Sequence, residues 1–147
     1  MIHALRALWK GGWVCWEGDY YQVPEMMIEP HPPTPVPIYC GGESGPALRR
    51  AAQHCDGWVG TAYEWDDAVT MIDKLRTSLR DYGREAEPFE IIIALRGVPS
   101  SDLYKRAEDI GVTGVMCAPW AGVDTAGAGR FRAPIEQFAE KIMAHCG

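Results

Sequence analysis

Apolar positions along this 147-residue chain change period, from helical spacing at the start to short strands alternating with helices after residue 37. Ile2, Leu5, Leu8 and Trp9 fall on one helical face, and Gly11-Gly12 stops that helix. The helix opens with the chain and has no N-cap residue ahead of it. Trp13-Val14-Cys15-Trp16 and Tyr20-Tyr21-Gln22-Val23 flank Glu17-Gly18-Asp19, a pattern that predicts a β-hairpin with a glycine turn. The proline-rich stretch from Pro24 to Pro37 predicts an extended surface segment.

From residue 37 the units repeat in kind though not in sequence. A strand at 37–40 precedes a helix at 46–55 whose Leu48, Ala51 and Ala52 can face a sheet. Gly57-Trp58-Val59-Gly60 predicts the second strand. A helix over about 65–82 follows, with Val69, Ile72, Leu75, Leu79 and Tyr82 as its apolar stripe, Asp66 and Asp67 matched to the dipole of its first turn, and Gly83 at its end. The third strand, Phe89 to Leu95, contains Ile91-Ile92-Ile93, and consecutive apolar positions imply cover on both faces. Ser101 is the predicted cap of a short helix with Leu103, Ala107 and Ile110 inward, ended by Gly111. Gly114-Val115-Met116-Cys117-Ala118 is the fourth strand, and Pro134 opens a last helix carrying Ile135, Phe138 and Ile142. Four such units predict an α/β fold, either a small open parallel sheet or part of a (β/α)8 barrel, and spacing alone fits both.

The densest chemical signal lies between the first of these strands and its helix. Pro37-Ile38-Tyr39-Cys40 runs into Gly41-Gly42-Glu43-Ser44-Gly45 and then Pro46, which suits a first helical position. Free backbone N–H groups at such a turn make an anion site, while the plainer reading is an ordinary strand-to-helix turn.

Charge and composition narrow the partners. A formal net charge of -6, with no lysine or arginine block, argues against nucleic acid. Arg49-Arg50 and Arg130 with Arg132 are the dense basic spots and read as solvated faces or local anion contacts. The five cysteines, at 15, 40, 55, 117 and 146, have neither C-x-x-C spacing nor metal-ligand spacing with the four histidines. Free thiols in a reducing cytoplasm account for them, with Cys40 and Cys117 packed in apolar strands. No stretch is long enough to span a bilayer and the first residues lack a signal-peptide core, so no membrane partner and no metal are expected.

Gly18-Asp19-Tyr20-Tyr21, the proline-rich approach, Pro37 to Ser44, Ala47-Leu48-Arg49-Arg50-Ala51-Ala52 and Asp56-Gly57-Trp58-Val59-Gly60 occur in family order. As a set they resemble the luciferase-like monooxygenase superfamily, and within it the bacterial members that use FMN or the deazaflavin coenzyme F420. The resemblance implies that residues 1–147 form one partial barrel domain: a helix at 1–10, a hairpin and Pro-rich insertion at 11–36, and four β-α units at 37–147 that correspond to the C-terminal half of the barrel. A full barrel takes about 250 residues. The resemblance therefore also implies that open strand edges meet a partner, whether a second copy or a complementing N-terminal half, or that the chain is a truncated product.

What the resemblance implies for chemistry follows from the carboxyl ends of the strands. Gly41, Gly42, Glu43, Ser44 and Gly45 would form the cofactor phosphate loop, with the Ser44 hydroxyl and backbone N–H groups as donors and Glu43 giving its N–H rather than its carboxylate. Gly60 and Thr61 would line the same cofactor. Arg96 and Trp120 are the candidates for a substrate-facing wall, against the plainer readings of a surface charge and a partner contact. Trp58 reads as packing, and Met26, Met27, Ile28 and the hairpin aromatics Trp13, Trp16, Tyr20 and Tyr21 as lid or packing residues. No catalytic acid or base stands out: His3, His31, His54 and His145 lack a supporting carboxylate, which suits chemistry carried by a cofactor. The implied activity is an oxidoreductase acting on a small organic substrate, by hydride transfer with the deazaflavin or by monooxygenation with FMN. The alternative is a catalytically incomplete half-barrel that binds a phosphate-bearing cofactor or serves as a subunit.

Overall fold

The computed structural model describes residues 1–20, 22–120 and 130–145. Helix α1 (Ile2–Leu8) leads to an antiparallel hairpin of β1 (Val14–Glu17) and β2 (Gln22–Met26). A four-stranded parallel sheet follows, ordered as in the chain: β3 (Tyr39–Gly41), β4 (Gly57–Tyr63), β5 (Glu90–Leu95) and β6 (Gly114–Val115). Between and after these strands run α2 (Gly45–His54), α3 (Trp65–Asp81), α4 (Ser101–Asp109) and α5 (Arg132–Lys141). Parallel strands in sequential order, each followed by a helix, are the arrangement of consecutive units of a (β/α)8 barrel.

The register sorts the sheet into two unlike faces. Cys40, Trp58 and Ile91 stand side by side, as do Ile93 and Val115, and all of them belong to or pack against the core under the helices. Trp58 and Ile93 are both 0% exposed, walled by Leu48, Ala51 and Ala52 of α2, Ile72 and Leu75 of α3 and Ala107 of α4. Gly41, Val59, Ile92 and Gly114 form the neighbouring row on the opposite face, where Val59 and Ile92 are only half buried. The expectation of cover on both faces of 89–95 is therefore corrected. Burial along β5 alternates, because helices sheathe one side only.

Other boundaries move for local reasons. Pro37 and Ile38 precede β3 rather than belonging to it: the Ile38 N–H donates to Asp56 Oδ2 at 2.8 Å, which takes it out of a ladder. Pro24 lies inside β2, where the lost donor is tolerated in a two-stranded ribbon, so the irregular proline-rich run begins after Met26. Ser100, not Ser101, caps α4, accepting from the Leu103 N–H at 3.1 Å. The fourth strand is short: the Met116 N–H still donates to the Ile93 carbonyl at 2.8 Å, but Cys117 and Ala118 lie past the strand, and Cys117 is exposed rather than packed. On α5 nothing is buried; Ile135 stays exposed, and Phe138 is half buried with its ring 6.3 Å from that of Tyr104 between centroids. Tyr20 is 96% exposed, and Tyr21 lies outside the described residues.

The amino ends of the strands are tied by ionic contacts. Arg6 of α1 meets Asp56 Oδ2 at 2.7 Å and the His54 carbonyl at 3.2 Å. Arg84 donates to the Ala52 and Cys55 carbonyls at 2.6 and 3.0 Å while its Nε meets Glu87, so it satisfies the carboxyl end of α2. A cavity of about 320 Å³ lined by Arg6, Trp9, His31 and the Pro32–Val36 segment also lies beside α1.

Candidate functional site at the carboxyl edge of the sheet

Because the four strands are parallel, the segments after Gly41, Tyr63, Leu95 and Val115 all emerge along one edge. Residues 42–44 turn from β3 into α2. Gly42 adopts φ +104°, a left-handed conformation that disfavours a side chain, and a Cβ there would sit 2.9 Å from the Ala47 Cβ. Trp58 anchors the turn from below, its Nε1 donating to the Gly42 carbonyl at 2.9 Å. Ser44 is the N-cap of α2, and its Oγ accepts from the Ala47 N–H at 3.4 Å while its hydroxyl proton can still be donated. A Cβ on Gly45 would lie 3.3 Å from Arg49 Nη1, so the exposed guanidinium folds back over the first turn of the helix.

Glu43 turns the other way. Its Oε1 accepts from Thr61 Oγ1 and from the Tyr63 hydroxyl, each at 2.7 Å, and the Tyr63 oxygen in turn accepts from the Thr61 N–H at 3.2 Å. The Thr61 and Tyr63 hydroxyls hold the Glu43 carboxyl below its ordinary value. Burial pushes the Tyr63 phenol upward, so it remains a donor. The sequence-based reading gave Glu43 only a backbone role and left its carboxylate turned from an anion. The structure supplies what it turns to.

The structure thus brings Gly41, Gly42, Glu43, Ser44, Gly45 and Thr61 together along one edge. Gly60 differs from them in its surroundings. A Cβ there would meet Trp58 Cη2 at 2.5 Å, Tyr63 Cε2 at 2.8 Å and Ile93 Cγ2 at 2.9 Å, so close packing in the core accounts for glycine at this position. Arg96 follows β5 on the same edge, its N–H donating to the Tyr63 carbonyl at 2.8 Å and its Nε to the Ala62 carbonyl at 3.3 Å. Trp120 packs edge-on against Phe131, 5.4 Å between centroids, which joins it to the start of α5.

Sequence reasoning passed over Tyr63 and the turn-facing placement of Arg49. Strict alternation puts residues 58 and 63 on opposite faces, yet their rings stack 6.3 Å apart, because the β4 register shifts between Val59 and Ala62. Arg49 carried a readable signal: a residue four positions into a helix from a glycine, with a side chain that points back towards the N-terminus.

For a phosphate-bearing cofactor the donor set fits. A glycine turn, a capping serine hydroxyl, a ten-residue helix N-terminus and a guanidinium lie together, and the nearest carboxylate is drawn off to the next strand. An uncharacterised protein of Mycobacterium tuberculosis is 35% identical over 148 residues, covering 97% of this chain and 50% of that protein. The F420-dependent glucose-6-phosphate dehydrogenase of Nakamurella multipartita is 26% identical over 110 residues, covering 74% of this chain and 32% of the enzyme. In fold, the chain is similar to the coenzyme F420 dependent tetrahydromethanopterin reductase from Methanopyrus kandleri, with a TM-score of 0.75 at 13% identity, over 97% of this chain and 61% of that one. The chain spans about half the length of the mycobacterial relatives it matches. The model of the luciferase-like monooxygenase family matches residues 1–110, and the chain belongs to that family.

Proposed function

We propose that this chain is the phosphate-binding half of a cytoplasmic oxidoreductase that uses the deazaflavin coenzyme F420 and transfers hydride to or from a small organic substrate. The observation that carries the reading is the division of labour around residues 42–45. Glu43 is held on Thr61 and Tyr63, while Ser44, Gly45 and Arg49 present donors and positive charge on the α2 side. When bound, the deazaflavin supplies the hydride chemistry. The protein's part would be to hold the phosphate at the start of α2, with Thr61, Arg96 and Trp120 as the residues that would line the rest of the molecule. FMN offers the same phosphate chemistry, and its use would move the reaction class to monooxygenation. The deazaflavin is favoured by the cofactor named for the Nakamurella and Methanopyrus proteins.

A second reading rests on the half-covered row of Val59 and Ile92. A single domain with one open sheet face fits a subunit that binds the cofactor and turns over only with a complementing half or a second copy. Fluorescence titration of the purified chain with coenzyme F420, with FMN as competitor, tests both readings. Saturable micromolar binding that FMN displaces poorly supports the deazaflavin assignment, and binding without turnover supports the subunit reading. No binding of either compound overturns the phosphate loop.

A further inference from the structure

Two thiols bracket the unit that carries the phosphate loop, and neither enters the reading above. Cys40 lies in β3 and Cys55 is the C-cap of α2, so one stands before the 42–45 loop and the other at the far end of the helix it opens. Their sulfurs are 2.7 Å apart. Unbonded carbon atoms rest at about 3.5–4.0 Å, whereas a disulfide bond is about 2.0 Å long. The pair is thus closer to bonding distance than to ordinary contact.

The two sulfurs differ in access. Cys55 is 0% exposed, with its Sγ 3.9 Å from the Arg50 carbonyl. Cys40 is half buried on β3, which ends the four-stranded sheet. A small oxidant reaches Cys40 first. Burial, and then the neighbouring Cys40, push the Cys55 thiol up to about 12, so Cys55 stays protonated and is not the sulfur that starts the reaction.

We propose that Cys40 and Cys55 are a covalent modification site, forming a reversible disulfide on exposure to a hydroperoxide and fastening β3 to the end of α2. In the first step the Cys40 thiolate attacks one oxygen of hydrogen peroxide. The O–O bond breaks, hydroxide leaves and takes up the proton the thiol has lost, and Cys40 becomes a sulfenic acid. In the second step the Cys55 sulfur attacks Cys40, the S–O bond breaks, and the displaced hydroxyl leaves with the Cys55 proton as water. Two thiols lose two electrons, and one peroxide becomes two waters. The sulfurs move from 2.7 Å to about 2.0 Å, a change carried by the strand and helix on either side of the loop.

The reduced, full-length chain treated with one equivalent of hydrogen peroxide, alkylated under denaturing conditions and digested, gives the decisive mass spectrum. A Cys40–Cys55 linked peptide about 2 Da lighter than its two reduced parts is expected to exceed every other cysteine pairing and to vanish on addition of dithiothreitol. The same treatment of urea-unfolded chain spreads linkage over the other cysteines. The Cys55→Ser variant stops at the Cys40 sulfenic acid, which dimedone traps. Linkage chiefly through Cys15, Cys117 or Cys146, or irreversible oxidation of Cys40 without a linked peptide, overturns the proposal. The readout needs no cofactor, so it stands or falls apart from the oxidoreductase assignment.

Discussion

The Tyr63 hydroxyl donates to Glu43 Oε1 at 2.7 Å, joining the second strand of the parallel sheet to the loop that leaves the first. The bond crosses twenty residues of sequence and runs between a phenol that is 7% exposed and a carboxylate on an exposed loop. It makes the loop's shape depend on the core, since the Tyr63 ring stacks on Trp58 and Trp58 holds the Gly42 carbonyl. Three residues thus tie the proposed anion site to the hydrophobic interior.

Removing the hydroxyl while keeping the ring isolates that tie. In Tyr63→Phe the Thr61 N–H loses its acceptor and Glu43 loses one of its two donors. The expected cost is about 1–2 kcal/mol, read as a lower urea midpoint with an unchanged slope. Binding of coenzyme F420 weakens as well, because the freed carboxylate can swing towards the phosphate. An unshifted midpoint together with unchanged binding defeats this account of the loop.

The same contacts set a direction for acid sensitivity. Glu43 has a folded value below its ordinary 4.5, so the native state binds fewer protons than the unfolded chain as the pH falls through that region. Its contribution is fully present above 4.5 and is lost as pH drops through the lower folded value. Glu43→Gln, which cannot ionise, is therefore expected to show a shallower loss of melting temperature than the natural chain as the pH falls below 4.5. Parallel curves for the two proteins would place the acid sensitivity elsewhere.

The order of elements was readable from periodicity, because α2 and α3 each bury one clean stripe, with Pro46 opening the first and Gly83 following the second. Less readable was which face of each strand would be covered. Ile91, Ile92 and Ile93 carry the same hydropathy, yet Ile91 and Ile93 are buried while Ile92 is not, and only the placement of the helices decides this. The loop at 41–45 declared itself through glycine, serine and proline chemistry. Tyr63 did not, because a register shift of β4 reverses the face that simple alternation assigns it. Gly60 shows the converse, a glycine that the sequence pattern sets at a strand end beside a ligand, whereas β4 runs on to Tyr63 and packs Gly60 against Trp58, Tyr63 and Ile93.

That last point gives a stability prediction free of any cofactor. Gly60→Ala places a methyl group against Trp58, Tyr63 and Ile93 at distances real Cβ atoms do not tolerate. All three neighbours are large and packed, so none can retreat cheaply. The expected loss is about 1–3 kcal/mol by denaturant unfolding. A neutral substitution would show that the strand can shift to make room, returning Gly60 to the ligand-facing candidates.

Arg49 is where stability and binding should part company. Its guanidinium is exposed and folds over Gly45, and no core residue depends on it, so Arg49→Ala is expected to change folding stability by no more than about 0.5 kcal/mol. A phosphate seated on the first turn of α2 loses a charge-assisted hydrogen bond, which at about 1.4 kcal/mol is about tenfold in affinity for coenzyme F420. The loss should be greatest at low ionic strength and shrink as salt is added, since an exposed charge is screened. Arg49→Lys keeps the charge and loses the planar fork, so it should recover part of the affinity and most of the salt dependence. Equal affinities for all three proteins at low salt would mean that the phosphate does not sit at the start of this helix, whatever cofactor the chain binds.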